Sequence, residues 1–404
     1  MSSRHVLPTR RMFRVVNGGT PAADPENWDG QISWATPADL STVDGGYLVG
    51  TWRTLTDRGL ALGSRSVSAG SLIVSTRAPI GYVAETTQTT AFNQGCRGLI
   101  PLKDLDVRYF RYQFLSIAER LAAQGLGSTF MELSTEGLAT TLLTVPRLDQ
   151  QHAVAGYLDA ETARIDALIT KKRRMIELVQ ERARATISAR LEPRSYSRMV
   201  RLGAVSTVQS GLTVDAGRTL DGSSVSRPYL RVANVQDGRI DLTEVKEVQI
   251  PLALASRFEL KRGDVLMTEG GDPDKLGRGA VWRGQVQGCL HQNHIFAVRP
   301  TEALLPEFLA LVTRTAYARI YFETTASKTT GIASTSSSKI ASFKVPLPDI
   351  NEQRTTVNQV SADLVRLDRL ARLVDCQILL LQEHRQALIT AAVTGDLEVP
   401  GVAR

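Results

Sequence analysis

Asp349–Leu370 reads DINEQRTTVNQVSADLVRLDRL, and Arg147–Leu168 reads RLDQQHAVAGYLDAETARIDAL, at a constant offset of 202 residues. From Arg354 onward, apolar residues recur at alternating steps of three and four: Val357, Val360, Leu364, Leu367, Ala371, Val374, Ile378, Leu381, Leu388 and Ala392, with Arg385 the one interruption. That spacing is a coiled-coil seam. The same phase in the earlier copy selects Ala155, Leu158, Thr162, Ile165, Ile169, Lys172, Ile176, Val179, Ala183, Thr186 and Arg190, where Lys172, Thr186 and Arg190 weaken it. Pro193 closes the first helix and Gly395 the second. Each helix, of about 40 residues, is roughly 60 Å long and overruns a domain of about 30 Å. The simplest solution is two helices of one chain packed antiparallel.

The segments before the helices also repeat. RVVNGGTP from Arg14 matches TVQSGLTV from Thr207, and AGSLIVSTRAPIG from Ala69 matches RGDVLMTEGGDPD from Arg262, both at an offset of 193. In each, a glycine precedes a short β-prone run, Leu72–Val74 or Val265–Met267, that opens into a polar loop. FMELSTEGLATTLLTVP and IASTSSSKIASFKVPLP return to the 202 offset, each ending on a proline before its helix. Short β-prone runs alternate with turn residues, and helical patterns run from Val107 to Gln124 and from Pro306 to Phe322. The expected fold is α+β, two pseudo-symmetric globular domains separated by a pair of long helices that form an antiparallel coiled coil. Its boundaries are a first domain at 1–146, a first helix at 147–193, a second domain at 194–348 and a second helix with its tail at 349–404.

With 404 residues, 43% hydrophobic and 22% charged, the chain has the makeup of a folded protein of more than one domain. Three distant cysteines, Cys96, Cys289 and Cys376, suggest a reducing cytoplasm rather than a disulfide framework. No run has the 18 or so apolar residues of a membrane span, and the arginine-rich N-terminus does not resemble a signal peptide. A net charge of +7 suits either solubility or a polyanionic partner.

An enzyme of this size should display its chemistry, yet GxxxxGK[ST], GxGxxG and GxSxG are all absent. CLHQNH, with Cys289, His291 and His294, lacks a fourth metal ligand. Neither catalytic residues nor a metal site is assigned. What remains is a set of polar loops suited to base edges. TEGGDPDKLGRG carries Thr268, Glu269, Asp272, Asp274, Lys275 and Arg278; HQNH carries His291, Gln292 and Asn293; STRAPIG and FNQG carry Thr76, Arg77, Asn93 and Gln94. Arg or Lys can grip guanine O6 and N7, Glu or Asp can accept from cytosine N4, and Asn or Gln amides match adenine. Ser128, Thr129, Lys328 and Thr329 are small or basic groups suited to phosphates. For each one singly, a solvated turn is the alternative.

The LDQQ and INEQR entries into heptad helices, with VTGDLEVPG at the C-terminus, resemble the specificity subunit of type I restriction-modification systems. WDGQISWATPADL, STRAPIGYVA and NQG look like one kind of target recognition domain of that family; GDVLMTEGGDPDKLGRGAVW and CLHQNHIFAVRP look like another. The resemblance implies a non-catalytic, DNA-binding subunit in which each domain reads half of a bipartite duplex target and the helices fix the spacer. Expected partners are double-stranded DNA, two copies of a methyltransferase subunit and restriction/translocase subunits, with S-adenosylmethionine, ATP and Mg on those partners and no cofactor here. Between Glu161 and Arg194, nine basic residues stand against five acidic, suited to spacer phosphates or to a solvated helix face. Other readings are an enzyme of unfamiliar type, an interaction scaffold using the coil alone, or a stand-alone DNA-binding protein.

Overall fold

The computed structural model describes residues 5–125, 131–193, 196, 198–213, 223–271, 276–329 and 332–402, with backbone alone at 253, 271, 328, 329 and 332. Two compact units emerge, Met1–Lys172 with Cys376–Arg404, and Arg173–Asp375. The division cuts both long helices, so each helix contributes its two ends to different units.

In the first unit, Leu72, Ile73 and Val74 are all fully buried. A strand sends successive side chains to opposite faces, so such a run must be covered on both sides. Leu72 and Val74 pack with Phe13, Leu99 and Phe110, while Ile73 packs with Ala84, Phe92 and Cys96 on the other face. Their strand, Leu72–Ser75, lies inside a five-stranded sheet in the order Phe13–Asn17, Cys96–Pro101, Leu72–Ser75, Val83–Thr86, Tyr47–Leu48. A second sheet holds Arg53–Leu55, Trp28–Ala35, Thr90–Phe92 and Arg65–Val67.

The second unit repeats this plan. Its sheet runs Ser206–Ser210, Ile295–Pro300, Val265–Thr268, Gly279–Val281, so the first three strands of each sheet occupy the same places. Val265 and Met267 face one apolar cluster and Leu266 another. Each unit adds a two-stranded antiparallel ribbon before its long helix, His5–Pro8 with Leu142–Val145 and Met199–Arg201 with Lys344–Pro346. The helices expected over Val107–Gln124 and Pro306–Phe322 are each broken in two, into Val107–Ser116 and Ala118–Ala123, and into Pro306–Thr313 and Ala316–Thr325. Thr315 explains the second break, because its side chain accepts the Ala318 amide and caps a new helix.

The long helices span Leu148–Arg190 and Ile350–Thr394. All eleven positions of the second seam are buried or half-buried, including Val360, Leu364, Leu367, Val374, Ile378, Leu381 and Leu388. The first seam holds from Ala155 through Leu158, Ile165, Ile169, Ile176 and Val179 to Thr186, but Arg190 is exposed and Ile187 is buried in its place. A straight helix drifts against a strict 3.5-residue repeat, and here the drift carries Ile187 and Leu191 into the core with Phe308. The polar interruptions find partners. Thr162 is buried, donating to the Leu158 carbonyl at 2.6 Å and lying 3.1 Å from the Tyr112 hydroxyl. Lys172 donates to Gln377 at 2.7 Å in the first unit, and Arg190 to Gln359 at 2.7 Å in the second. In the first unit Asp166 meets Arg385 at 3.1 Å while Lys172 meets Gln377, so these segments run antiparallel. Gly395, at φ +78°, ends the second helix, and its amide and that of Leu397 both donate to the Ala391 carbonyl at 3.0 Å.

A buried glutamine seats each helix. Gln353 is fully buried; its Oε1 accepts the Leu305 amide at 2.8 Å, and its Nε2 donates to the Ala303 and Pro348 carbonyls at 2.9 Å. Gln151, 202 residues earlier, accepts the Asp106 amide at 3.0 Å and donates to the Pro146 carbonyl at 2.9 Å. Asp106 and Leu305 are the residues that open the short helices Val107–Ser116 and Pro306–Thr313. The repeated glutamine of LDQQ and INEQ therefore ties the start of each long helix to the start of a short one. Gln353→Leu is expected to cost about 1–3 kcal/mol of unfolding free energy, because the Leu305 amide and the Ala303 and Pro348 carbonyls, all partly buried at these bonds, lose their partner. Denaturant unfolding checks this, and a curve superimposable on wild type would contradict the clamp.

Candidate nucleic-acid interface

The polar loops singled out in the sequence converge, within each unit, on one backbone corner. In the first unit the Thr76 amide donates to the Gly95 carbonyl at 2.8 Å, the Leu133 amide donates to the Thr76 carbonyl at 2.8 Å, and Arg77 bridges to Glu132. In the second unit the Glu269 amide donates to the His294 carbonyl at 2.9 Å, the Thr335 amide donates to the Glu269 carbonyl at 2.7 Å, and Gly270 pairs with Ser334. Thr76 and Glu269 thus hold equivalent places, as do Arg77 and Gly270. Asn93–Gln94 and Gln292–Asn293 form the adjoining turns.

Two glycines let these turns approach the sheet. A Cβ at Gly18 would collide with the Asn93 carbonyl, and one at Gly211 with the His291 and Gln292 carbonyls. Both glycines follow the first strand of their sheet, Phe13–Asn17 or Ser206–Ser210. The close approach lets the Leu212 amide donate to the His291 carbonyl at 2.8 Å and the Asn293 amide to the Leu212 carbonyl at 3.0 Å.

Identical backbone carries different side chains. In the first corner, Arg77 is half-exposed and pairs with Glu132 at 3.0 Å; Glu132 also holds Arg97 at 3.1 Å. Arg97, itself buried, donates to Thr135 at 3.0 Å and to the Gln94 carbonyl at 2.8 Å. Asn93 accepts the Gly95 amide at 2.9 Å, and the exposed Gln94 accepts from Thr20. In the second corner, the Glu269 carboxylate lies 2.5 Å from His294 Nδ1, and Ser210 donates to the Asn293 carbonyl at 3.1 Å. Arg278, half-buried, follows this corner and opens the strand Gly279–Val281.

Three residues assigned to base-edge loops, Thr76, Thr268 and His291, are buried, and each has a local cause. Thr76 turns its hydroxyl to the Gly95 carbonyl at 3.3 Å. Thr268 ends the central strand Val265–Thr268, inside the sheet. His291, in the short strand Leu290–His291, lies 2.9 Å from the Ile295 carbonyl through Nδ1. These three brace the corner. Ser128, Thr129, Asp272, Asp274 and Lys275 lie outside the described residues. Lys328 and Thr329 are in the strand Ser327–Thr329, which pairs with Ile332–Ser334 and so extends the second corner. Among the described residues no group of three or more His, Cys, Asp and Glu is placed to hold a metal ion. No described helix is long and apolar enough to cross a membrane.

Sequence reading missed Glu132, Arg97 and Trp52. Trp52 is 89% exposed, on a turn braced by the bond from its amide to Asp39 at 2.9 Å. Arg97 lies three residues beyond Gln94, and only the fold brings Glu132 to it.

Residues 10–178 match the family model described as the type I restriction modification DNA specificity domain. This part of the chain is similar to type I DNA specificity domains. Around it, 32% identity over 171 residues links the chain to the type I restriction enzyme MjaIX specificity subunit of Methanocaldococcus jannaschii, covering 41% of this chain and 39% of that one. The EcoKI specificity subunit of Escherichia coli K12 is 21% identical over 293 residues, 69% of this chain and 62% of that one. The chain therefore aligns with less than two thirds of the length of either relative. A solved chain from work on complex assembly and conformational transition of the type I R-M system shares the fold, with a TM-score of 0.74 at 16% identity over 98% of this chain and 99% of that one. The HsdS subunit of Thermoanaerobacter tengcongensis matches with a TM-score of 0.51, also at 16% identity, over 98% of each chain. The first corner lies inside the matched residues 10–178, and the second repeats its backbone.

Burial holds the His291 imidazole below the ordinary histidine value of 6.5, against the opposing pull of the Ile295 carbonyl. The folded state therefore binds fewer protons than the unfolded state just below that value. Stability contributed by neutral His291 is complete above pH 6.5 and declines as the pH falls toward the lower folded value. Melting curves between pH 7.5 and about 5 should show this decline weakened in His291→Asn, which retains a donor for Ile295. A parallel pH profile in the variant would contradict the assignment.

Proposed function

We propose that the chain is the non-catalytic DNA-recognition subunit of a type I restriction-modification complex, each corner reading one half of a bipartite duplex target. The observation that carries this reading is the shared corner: one backbone arrangement, built twice, presents Arg77, Asn93 and Gln94 in one unit and Glu269, Gln292 and Asn293 in the other. Arginine suits guanine, the amides suit adenine, and the carboxylate suits cytosine N4. Two different readers on one scaffold give a target whose halves differ. Asp272, Asp274, Lys275 and Arg278 belong to the second reading loop; Ser128, Thr129, Lys328 and Thr329 are assigned to backbone phosphates.

The long helices, 43 and 45 residues, serve in this reading as an antiparallel coiled-coil ruler. At about 1.5 Å per residue and about 34 Å per duplex turn, a rod of roughly 60 Å sets the readers one to two turns apart. Their outer faces dock two copies of a methyltransferase subunit, which recruit restriction/translocase subunits. Chemistry belongs to those partners: S-adenosylmethionine supplies the methyl group, and ATP with Mg supports translocation and cleavage. The assembly works in the cytoplasm, where its DNA is.

Exchange of residues 1–146 for the corresponding domain of another family member tests the proposal. Mapping of methylated adenines in cells carrying the partner subunits should show one half of the site changed and the other half and the spacer retained. Alteration of both halves would refute modular reading.

A further inference from the structure

In the second unit, four arginines from three parts of the chain surround a single small cavity of about 110 Å³. Arg184 comes from the long helix Leu148–Arg190, Arg278 from the end of the reading loop, Arg314 from the break between the two short helices, and Arg319 from the helix Ala316–Thr325. Asp237 is the one acidic residue among the described residues of the lining, where four arginines stand against one carboxylate, a net of three positive charges. That carboxylate is already engaged, accepting from Arg314 at 2.8 and 3.3 Å. Arg278 too has a partner. Arg184, exposed, and Arg319, half-buried, have no side-chain hydrogen bond or ion pair with any described residue.

The cavity is built rather than incidental. Gly238, at φ +72°, lies under Arg314, and a Cβ there would come within 2.7 Å of its Nη1. A Cβ at Gly279 would collide with the Thr313 hydroxyl, and one at Gly277, also at positive φ, with the Phe322 ring. Three glycines thus allow the walls to close around the guanidinium groups. A guanidinium cannot shed its proton to relieve the repulsion of its neighbours, so convergence of this kind is favourable only with an anion to share. The cavity is smaller than the roughly 300–1,000 Å³ that organic ligands occupy, which restricts the anion to a compact one. Planar guanidinium forks match phosphate oxygens in pairs.

We infer that this cavity binds a phosphate oxyanion, supplied by the backbone of the recognised duplex beside the second reading loop. The inference rests on the proposed reading in taking DNA as the source; a free phosphate ion is the other source. Because Arg184 stands on the long helix and Arg278 ends the reading loop, a phosphate held here ties the placement of that loop to the helix. It contributes affinity and register, not sequence preference.

The test uses the full chain assembled with its partner subunits and compares wild type, Arg184→Gln/Arg319→Gln and Arg184→Lys/Arg319→Lys. Duplex affinity is measured against salt, and inorganic phosphate binding by its shift of the melting temperature. The glutamine variant should lower the slope of log K against log salt by about one to two, alike on target and unrelated duplexes, with the methylated sequence unchanged. The lysine variant should recover most of that slope. If the slope is unchanged but phosphate raises the melting temperature of wild type and not of the glutamine variant, the oxyanion is a free ion and the duplex source is wrong. Both measurements unchanged overturns the inference while leaving base reading intact. Failure of the wild-type assembly to bind any duplex would instead overturn the proposed function, and the phosphate measurement would still decide the cavity.

Discussion

The structure depends on two buried amide side chains. Gln151 and Gln353 lie where the proline ahead of a long helix, a short helix and that long helix meet, and each satisfies backbone groups of segments close in space but distant in sequence. Glutamine is suited to this place because one planar group both accepts and donates. An apolar residue would fill the volume but leave the amide of Asp106 or Leu305 without a partner, and a buried orphan of that kind costs more than the hydrogen bond itself gains. Because the clamp fixes where each long helix leaves its ribbon, every seam position downstream takes its phase from it.

Around that shared clamp the two units use different physics for equivalent contacts. In the first, Arg108 and Arg111 reach Asp159 at 3.0 Å, Arg111 also reaches Glu85 at 3.3 Å, and the Tyr112 hydroxyl donates to Asp159 at 2.7 Å. In the second, the equivalent short helix presents Ala310 and Leu311 to an apolar cluster containing Val360 and Phe308. Arg111 is almost wholly buried, so its ion pairs must offset its desolvation, whereas the apolar version faces no such cost. The same geometry is thus compatible with charged and apolar solutions, and this is one reason the globular halves look less alike in sequence than their backbones are.

That difference marks what could be read from the sequence. The helices were legible because a 3.5-residue seam survives substitution of any one position; Arg385, Lys172 and Arg190 interrupt it without hiding it. The strands Leu72–Ser75 and Val265–Thr268 were legible as apolar runs ending in polar loops. The break at Thr315 was not, because a single threonine cap outweighs a continuing helical pattern at one point only. The candidate positions were found as loops, and the equivalence of Arg77 and Gly270 follows from backbone pairing. Burial of Thr76, Thr268 and His291 depended on which neighbours the sheet brings near, which spacing alone does not encode. Glu132, 35 residues from the Arg97 it holds, carried no local signal at all.

A scaffold that must change its specificity without losing its fold has to separate the groups that hold the corner from those that face outward. Here the separation is between backbone and side chain. Amide and carbonyl pairs at Thr76, Gly95 and Leu133, or at Glu269, His294 and Thr335, are indifferent to which side chain each residue bears. The positions where identity matters sterically are Gly18 and Gly211, where any Cβ meets a carbonyl. Side chains at 77, 94, 269, 292 and 293 can therefore vary at small cost to the corner, whereas the two glycines, and Asn93 with its bond from the Gly95 amide at 2.9 Å, cannot. Such a corner accommodates new outward side chains because most of its stability lies in backbone pairing.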